Sequence, residues 1–459
     1  MGFAADIINS FKNRFNSYTE LRAQTDNQTS ISLDNGKFSP DYSSSQSGIS
    51  ARVFNHGAWG FAAIADISEK NAALVIEQAD KNAKFLASKL TNGEPDLTST
   101  ASTDPYSYRV PGSQPDSKIV KDYLKQIDEW LTLKCPDLSN RSINVQCNVT
   151  DRDFITAGQG LISVQTVETL LILNLSLKKN GKSAEVYSCN GGSGYLFDLF
   201  GSSIEEKIDL LIKQLSDKSD AIPAESGTFP CVLCPSVTGI LAHEAVGHTI
   251  EADNVNYGTA AAGSLNRQVA SPLVTMVDFA HTAFGKTCPA PVLFDDEGIL
   301  GTDAVIIENG ILKTFLHNRQ SARQFAEQPR GNARARLFSD EPIIRMRNMA
   351  IVPGKQKLDE MIASIDQGYL LVDNKNGQAD AAGNFSFGTR LGYEIINGKI
   401  GRAISDTTVS GNAFEVLQSV DMVSDDFELF PKRCGKKQTI AVSWGGPSIK
   451  CRLKIGGGK

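Results

Sequence analysis

The residues with the clearest chemical potential lie at 241–248, which read Leu-Ala-His-Glu-Ala-Val-Gly-His. His243 and His248 can each offer a neutral imidazole to a transition metal, and the Glu244 carboxylate stands beside the first of them. A carboxylate next to a metal and its water can hydrolyse an amide without a covalent intermediate. The segment therefore predicts metal-assisted hydrolysis, and the alternative is that both histidines are ordinary helix residues.

The spacing of the two histidines differs from the common zinc-protease pattern. That pattern, H-E-x-x-H, places both imidazoles on one face of a helix. Here there is one extra residue between them. In a regular α-helix this longer spacing turns the second side chain roughly 140° from the first, against about 40° for the common spacing. A π-type turn restores convergence, and Gly247 is a permissive place for it. We therefore predict a π-type turn or a break near Val246 or Gly247.

The residues before this segment indicate a rigid support for a site. Residues 228–235 read as a short buried strand, and the histidine segment follows as a helix. Cys231 and Cys234 form a C-x-x-C pattern, but alternation along a strand sends their side chains to opposite faces. We interpret them as small core residues, with a redox or zinc pair as the alternative.

Length and composition limit the fold and the function. A chain of 459 residues is too long for one ordinary core, so we expect two domains. The net charge of -6 argues against nucleic-acid binding. No apolar run approaches the roughly 20 residues that span a bilayer. The first residues, up to Glu20, have the spacing of an amphipathic helix and lack the apolar core of a signal peptide, so we expect a cytoplasmic protein.

The order of the predicted elements indicates an α+β fold with two domains. In the N-terminal half, strand and helix patterns alternate in blocks, which suggests an internal duplication. The C-terminal half is rich in strand patterns that are broken by turns such as Asn309-Gly310 and Asn397-Gly398. We place an N-terminal α+β domain at 1–222. A β-rich C-terminal metallopeptidase domain, which carries the histidine segment, follows at 223–459.

Several motifs together resemble the TldD/TldE (PmbA) family of metalloproteases, specifically its catalytic TldD type. The most specific is the H-E-x-x-x-H segment with a distant Cys-Gly-Lys that begins at Cys434. Weaker motifs are spread along the chain: Gly57-Ala58-Trp59-Gly60-Phe61, Asp295-Asp296-Glu297-Gly298, Gly331-Asn332-Ala333-Arg334 and Arg345-Met346-Arg347-Asn348. The resemblance implies that His243, His248 and Cys434 bind the metal and that Glu244 is the catalytic base.

The chemistry of the donors is compatible with this set. Two imidazoles leave a catalytic zinc one protein ligand short, because such sites usually combine three protein ligands with a water. Cys434 can be the third ligand as a thiolate, and the basic residues around it favour its deprotonation: Lys432, Arg433, Lys436 and Lys437. Without the resemblance, an exposed loop thiol is the simpler interpretation. The set suits zinc and also accepts iron or cobalt.

The sequence thus predicts a peptidase that depends on one divalent metal ion, zinc being favoured, and hydrolyses small or unfolded peptides. The resemblance implies a closed two-subunit chamber in which the peptide lies as an extended strand against a sheet edge. It also implies a partner, either a TldE/PmbA-like subunit without the metal motif or a second copy of the chain. We expect neither a nucleic-acid nor a membrane partner.

The competing hypothesis is a non-catalytic binding or modulator protein with a structural metal. Glu244 discriminates between the two, since a structural site is closed by four protein ligands and has no use for a free carboxylate beside it. Further residues that could line the site, each with a structural role as its alternative, are His281, His317, Arg345 and Asn348.

Overall fold

β-sheets organise both halves of the chain. The computed structural model describes residues 2–91, 97, 104–179, 181–195 and 204–456. The N-terminal strands are β1 (Tyr18–Asp34), β2 (Lys37–Phe38), β3 (Tyr42–Asn55), β4 (Ala58–Ala65), β5 (Tyr106–Tyr108), β6 (Leu138–Thr156), β7 (Ile162–Lys179) and β8 (Lys182–Ser193). The N-terminal helices are α1 (Phe3–Ser10), α2 (Glu69–Ala87), α3 (Ser117–Lys134) and α4 (Ile204–Ser219).

The N-terminal strands form one eight-stranded sheet. Its path is β4-β3-β1-β6-β7-β5, with β2 beside β1 and β8 beside β7. The long strands are antiparallel, and the apolar faces of α3 and α4 pack on them through residues such as Leu124 and Ile208. Helix α2 packs on β4 at very close range, because a Cβ at Gly60 would lie only 2.0 Å from the Ala79 carbonyl oxygen. The order of a helix, long strands and a helix occurs twice in this half.

The N-terminal amphipathic helix is shorter than predicted. Helix α1 ends at Ser10, and β1 already begins at Tyr18, so the prediction of a helix up to Glu20 is wrong there. The reason is tertiary: residues from Tyr18 onward pair with β3, and from Glu20 onward also with β6, and the first seven residues of β1 are buried. Pairing on both edges overrides the helical spacing of the apolar side chains.

The C-terminal half contains the remaining elements. Its strands are β9 (Gly227–Leu233), β10 (Met276–Phe279), β11 (Thr282–Ala283), β12 (Lys286–Thr287), β13 (Ala304–Glu308), β14 (Ile311–Leu312), β15 (Ala333–Arg334), β16 (Ile343–Ile344), β17 (Asn348–Ile351), β18 (Gln367–Ala379), β19 (Asn384–Ile396), β20 (Lys399–Ile404), β21 (Thr407–Asn412), β22 (Met422–Val423), β23 (Glu428–Lys436), β24 (Gln438–Gly446) and β25 (Ile449–Gly456). Its α-helices are α5 (Pro235–Ile240), α6 (Ala252–Asn256), α7 (Arg319–Gln324), α8 (Leu358–Ala363) and α9 (Ala413–Gln418).

Two larger sheets enclose the core of this half. One runs β14-β13-β10-β17-β24-β23, and the other runs β18-β9-β25-β21-β19-β20 with β22 beside β25. Helix α5 follows β9 directly, as predicted, and it packs into the core with both sheets. A Cβ at Gly239 would lie 2.4 Å from the backbone nitrogen of Gly445, so the glycine allows α5 to lie against β24. The mixed α+β class predicted from the sequence is confirmed.

Buried ion pairs join the two halves. Arg22 Nη1 lies 2.7 Å from Asp296 Oδ1. Arg52 lies 2.9 Å from Glu20 through its Nε and also pairs with Glu297. All five side chains are at least 90% shielded from solvent. Separating the halves would expose these charges or leave them without partners, which is costly for buried pairs.

Among the described helices, none combines the length and the apolar character that crossing a bilayer would require.

Candidate metal centre

The histidine segment leaves the regular α-helical path where its spacing requires it. Residues Leu241–Val246 form a π-helical turn, and Gly247–Thr249 form a 3-10 turn. The predicted π-type turn is thus confirmed. Gly247 has ordinary helical dihedral angles, so its role is spatial and not conformational. A Cβ there would lie 2.0 Å from Met346 Sδ.

The π-helical turn brings both histidines close to Cys434 of β23. One candidate ligand atom from each of the three residues lies within 4.8 Å of the other two. His248 Nε2 is 3.4 Å from Cys434 Sγ, and the His243 and His248 rings stand 5.2 Å apart at 81°. His243 and Cys434 are buried, and His248 is half-buried. Cys434 is therefore not an exposed loop thiol, which was the simpler interpretation of the sequence.

Two observations indicate that these residues fit a transition metal. The His243 ring is fully buried, yet neither of its nitrogens hydrogen-bonds to a described residue. A buried polar group without a partner is unfavourable, and a metal ion would supply the missing partner. The donors are two imidazole nitrogens and one sulfur, a combination that zinc accepts and that leaves a fourth position open.

Cys434 and His248 form a strongly polarised pair. Burial acts to raise the pKa of the Cys434 thiol, but the charges of His243 and His248, together with the hydrogen bond from His248, outweigh it and lower that pKa to about 4. Burial acts to lower the pKa of His248, but hydrogen bonds to Cys434 and Glu251 raise it to about 10. The thiolate form of Cys434, which is the form that binds metals, is thus favoured by the two histidines and not mainly by the basic residues around it.

Glu244 lies at the edge of the same cluster. Its Oε2 is 3.9 Å from His248 Nε2, and the side chain is half-buried. Burial raises the pKa of its carboxyl group, while the charges of His243 and His248 act in the opposite direction. The carboxylate faces a cleft and is not enclosed by the donors, so a small molecule can reach it.

Glu251 orients the His248 ring through Nδ1, the nitrogen that does not face Cys434. The sequence interpretation missed this role. The carboxylate is fully buried, and its Oε2 lies 3.2 Å from His248 Nδ1. The same oxygen accepts a hydrogen bond from Asn254 Nδ2 at 3.0 Å and lies 3.2 Å from Lys436 Nζ. A carboxylate on the far nitrogen of a ligating histidine fixes the ring and its tautomer. The helical spacing of an acidic residue shortly after His248 was the available signal.

We expect Glu251→Gln to weaken metal binding by about 10- to 100-fold, the usual effect of changing such an outer partner. Gln has the same size, but it removes the charge that orients His248. Competition with a chelator measures the affinity. Asp253→Asn is the matched control, because Asp253 pairs with Lys436 at 2.7 Å without any hydrogen bond to His248. An unchanged affinity in Glu251→Gln would contradict the orienting role.

The other residues named from the sequence have different positions. Arg345 is fully buried, and its Nη2 donates to the Cys434 carbonyl oxygen at 2.6 Å, so it positions the strand that carries Cys434. Asn348 is structural, since its amide donates to the carbonyls of Phe279 and Ala290. His317 packs between aromatic rings, and its Nδ1 lies 3.2 Å from Ser321 Oγ. Neither Asn348, His317 nor His281 lines the cleft.

The cleft beside the cluster has a volume of about 660 Å³ and lies between the two halves of the chain. From the N-terminal sheet it is lined by Gln146, Leu170, Ile172, Tyr187 and Cys189. From the C-terminal half it is lined by Glu244, His248, Trp444, residues 374–377 of β18 and several residues of β23. The His243 ring packs 4.5 Å from the Trp444 ring at the floor of this region.

Models of a known protein family match segments in both halves of the chain. Residues 226–457 match the PmbA/TldA metallopeptidase C-terminal domain, and residues 19–83 match domain 1 of the same metallopeptidases. A metalloprotease from Methanothermobacter thermautotrophicus is 30% identical over 96% of this chain and 95% of its own length. The chain belongs to the PmbA/TldA metallopeptidase family. A zinc metalloprotease TldD homologue from Saccharolobus solfataricus is 29% identical over 89% of this chain and 90% of its own.

A solved structure shares the fold of the chain. The crystal structure of TldE from Thermococcus kodakarensis superimposes with a TM-score of 0.77 at 18% identity, and it covers 99% of each chain. Membership of the family identifies the chain as a metallopeptidase with a metal cofactor. The likeness to the TldD/TldE family predicted from sequence motifs is thereby confirmed.

Proposed function

We propose that the chain hydrolyses small or unfolded peptides with one divalent metal ion bound by His243, His248 and Cys434, and that Glu244 is the catalytic base. The observation that carries this proposal is the cluster of three donors within 4.8 Å of one another beside a free carboxylate and a cleft. A purely structural metal would be closed by a fourth protein ligand. Among the described residues, no fourth histidine, cysteine or carboxylate joins the three donors.

Each residue of the cluster then has a defined task. The bound ion supplies a Lewis acid that polarises the peptide carbonyl and acidifies water. Glu244 accepts the proton of the attacking water and delivers it to the leaving amine nitrogen. Glu251 holds the His248 ring through Nδ1, so that Nε2 points to the cluster. Arg345 fixes the backbone at Cys434.

Residues 374–377 of β18 are suited to hold an extended peptide beside Glu244. Strand β18 pairs with β9 only through Leu371, and beyond that point it pairs only with β19 among the described strands. Its register shifts three times in this stretch. A Cβ at Gly377 would lie 3.2 Å from Glu244 Cγ, so the segment borders the catalytic carboxylate. A peptide added to this edge is bound through its main chain and therefore with little sequence preference.

The metal, the partner and the domain organisation complete the proposal. The donor set favours zinc and also admits iron or cobalt. The partner is a TldE/PmbA-like subunit or a second copy of the chain, as the structural likeness to a TldE suggests.

The domains are 1–222 and 223–459. Ile222 is already anchored to the C-terminal sheet, since its carbonyl accepts a hydrogen bond from the Ser405 backbone nitrogen at 2.7 Å.

Metal removal and reconstitution test this function. The metal-free protein should not cleave an unfolded peptide, and hydrolysis should return when one zinc, iron or cobalt ion is bound per chain. The assay is run on the chain alone and with a TldE-like subunit, and metal content is measured in parallel. Equal hydrolysis without metal would contradict the metal-dependent mechanism. A metal-loaded protein that cleaves no peptide, even with the partner, would favour the binding-protein hypothesis.

A further inference from the structure

The cleft beside the metal centre is rich in cationic side chains. Four of its lining residues are basic: Lys375, Arg390, Lys432 and Arg433. The whole chain has a net charge of -6, so this local excess does not reflect the composition. We therefore expect the positive charge in the cleft to be neutralised either by carboxylates of the chain, which stabilises the fold, or by a ligand.

Three of these cations are neutralised by carboxylates of the chain. Arg390 Nη1 lies 3.0 Å from Asp373 Oδ2. Arg433 binds Glu168 with both terminal nitrogens, one of them at 2.6 Å. Lys375 pairs with Asp406. Their charges are satisfied within the protein, and each pair links a residue of the cleft wall to a residue outside it.

Lys432 differs from these three cations in its surroundings. Among the described residues, no hydrogen bond or ion pair joins its ammonium group to an acceptor, and Asp373, whose charge acts on Lys432, is already paired with Arg390. Its Nζ lies 5.6 Å from the centre of the Trp444 ring and 6.0 Å from that of Phe430. The side chain is half-buried, so its charge is partly removed from water without a counter-ion. Cation–π contacts at these distances compensate only in part.

Lys432 lies close to the proposed metal ligands. It precedes Cys434 by two residues in β23, so both side chains lie on the same face, roughly 7 Å apart along the strand. Trp444 contacts both the Lys432 ammonium and the His243 ring, which lies 4.5 Å away. An extended peptide advances by roughly the same 7 Å every two residues. The peptide residue whose group Lys432 binds is therefore either adjacent to the cleaved bond or one position further along the peptide.

We propose that Lys432 binds a carboxylate of the peptide and so makes the enzyme selective for acidic substrates. The carboxylate is either the free carboxyl end of the peptide or an Asp or Glu side chain near the cleaved bond, because both present the same chemistry to an ammonium group. This inference rests on the proposed peptidase function and specifies its substrate. A carboxylate would give Lys432 the counter-ion that the three neighbouring cations already have.

Matched peptides test the proposal. Each has the same unfolded sequence, with a free or amidated carboxyl end in one pair and with Asp or Asn beside the cleaved bond in the other. Binding is measured by fluorescence anisotropy in the metal-loaded Glu244→Gln protein, which leaves the peptides intact, and KM and kcat are measured in the wild type. Where Lys432 is present, the acid should bind about 10- to 100-fold more tightly than the amide, as charge-assisted hydrogen bonds predict.

Variants assign this preference to one residue. Lys432→Met should lose most of it and Lys432→Arg should retain it, while Arg433→Met is the matched control, because Arg433 lines the same cleft but already binds Glu168. Melting temperature and metal content show whether each variant is folded. The pair of peptides that differs in affinity identifies which carboxylate is bound, the terminal one or the side chain.

The outcomes separate this inference from the proposed function. Equal binding of acid and amide by the Glu244→Gln protein, together with equal KM values in the wild type, would overturn the role of Lys432 even if no Lys432 variant folds. A preference that persists in Lys432→Met, or that Arg433→Met removes equally, would also overturn it. If peptides of every kind are cleaved at similar rates, the peptidase function stands and only the selectivity fails. If no peptide is bound or cleaved, both fail.

Discussion

Changing Glu244 to Gln should lower peptide hydrolysis at least about 100-fold while the bound metal stays in place. General-base assistance contributes about 10²–10⁴-fold to such reactions, and an amide cannot accept the proton of the attacking water. Gln keeps the size of the side chain, and Glu244 is not one of the three proposed donors, whose candidate ligand atoms already lie within 4.8 Å of one another. Peptidase rate and metal content are measured on the same preparation.

Glu168→Gln is a suitable control for this experiment. Glu168 does not line the cleft, but its carboxylate binds Arg433, which does, and among the described residues no hydrogen bond or ion pair joins Glu168 to the histidines. Its replacement should change the rate far less than that of Glu244. Undiminished hydrolysis in Glu244→Gln would exclude Glu244 as the base and would turn attention to another acceptor in the cleft.

Changing His243 to Ala should abolish both metal binding and activity. We expect the affinity for the metal to fall more than about 100-fold, since even the loss of an outer partner of a ligand costs about 10- to 100-fold. The variant also loses the contact of the His243 ring with Trp444, so its melting temperature will fall. Metal content after dialysis, activity and melting temperature together distinguish these effects.

His317→Ala provides the matched control for this loss. His317 is also a buried histidine that packs against aromatic rings, and its Nε2 has no hydrogen-bond partner among the described residues. It lies outside the cluster of donors, so its replacement should destabilise the fold but leave the metal bound. Full metal retention in His243→Ala would remove His243 from the set of ligands.

The local features of the site were accessible from the sequence because each has a short-range physical cause. The wide spacing of the histidines requires a π-type turn if both are to face one point, and that turn is present. Asn309-Gly310 and Asn397-Gly398 form turns with positive φ at both residues, as such pairs predict. Helix α2 likewise follows from the spacing of its apolar residues, since its buried residues recur at helical intervals: Ala72, Val75, Ala79 and Ala83.

Features that depend on distant parts of the chain were not accessible in the same way. The residues alone left Cys434 as an exposed loop thiol, and only the family resemblance placed it at the site, because its contact with His248 spans 186 residues of sequence. The length of strand β1 is a second such feature, since it is set by pairing with both β3 and β6. Glu251 escaped notice because its role depends on which way the His248 ring turns.

The buried ion pairs between the halves have a consequence for what can reach the catalytic cleft. Arg22 with Asp296, and Arg52 with Glu297, join the two halves between which the cleft lies, and moving these halves apart would leave buried charges without partners. We therefore expect the width of the cleft to stay nearly constant. A folded domain is too wide for a cleft of about 660 Å³, so under the proposed peptidase function we expect protein targets to be cleaved only after unfolding or as short fragments.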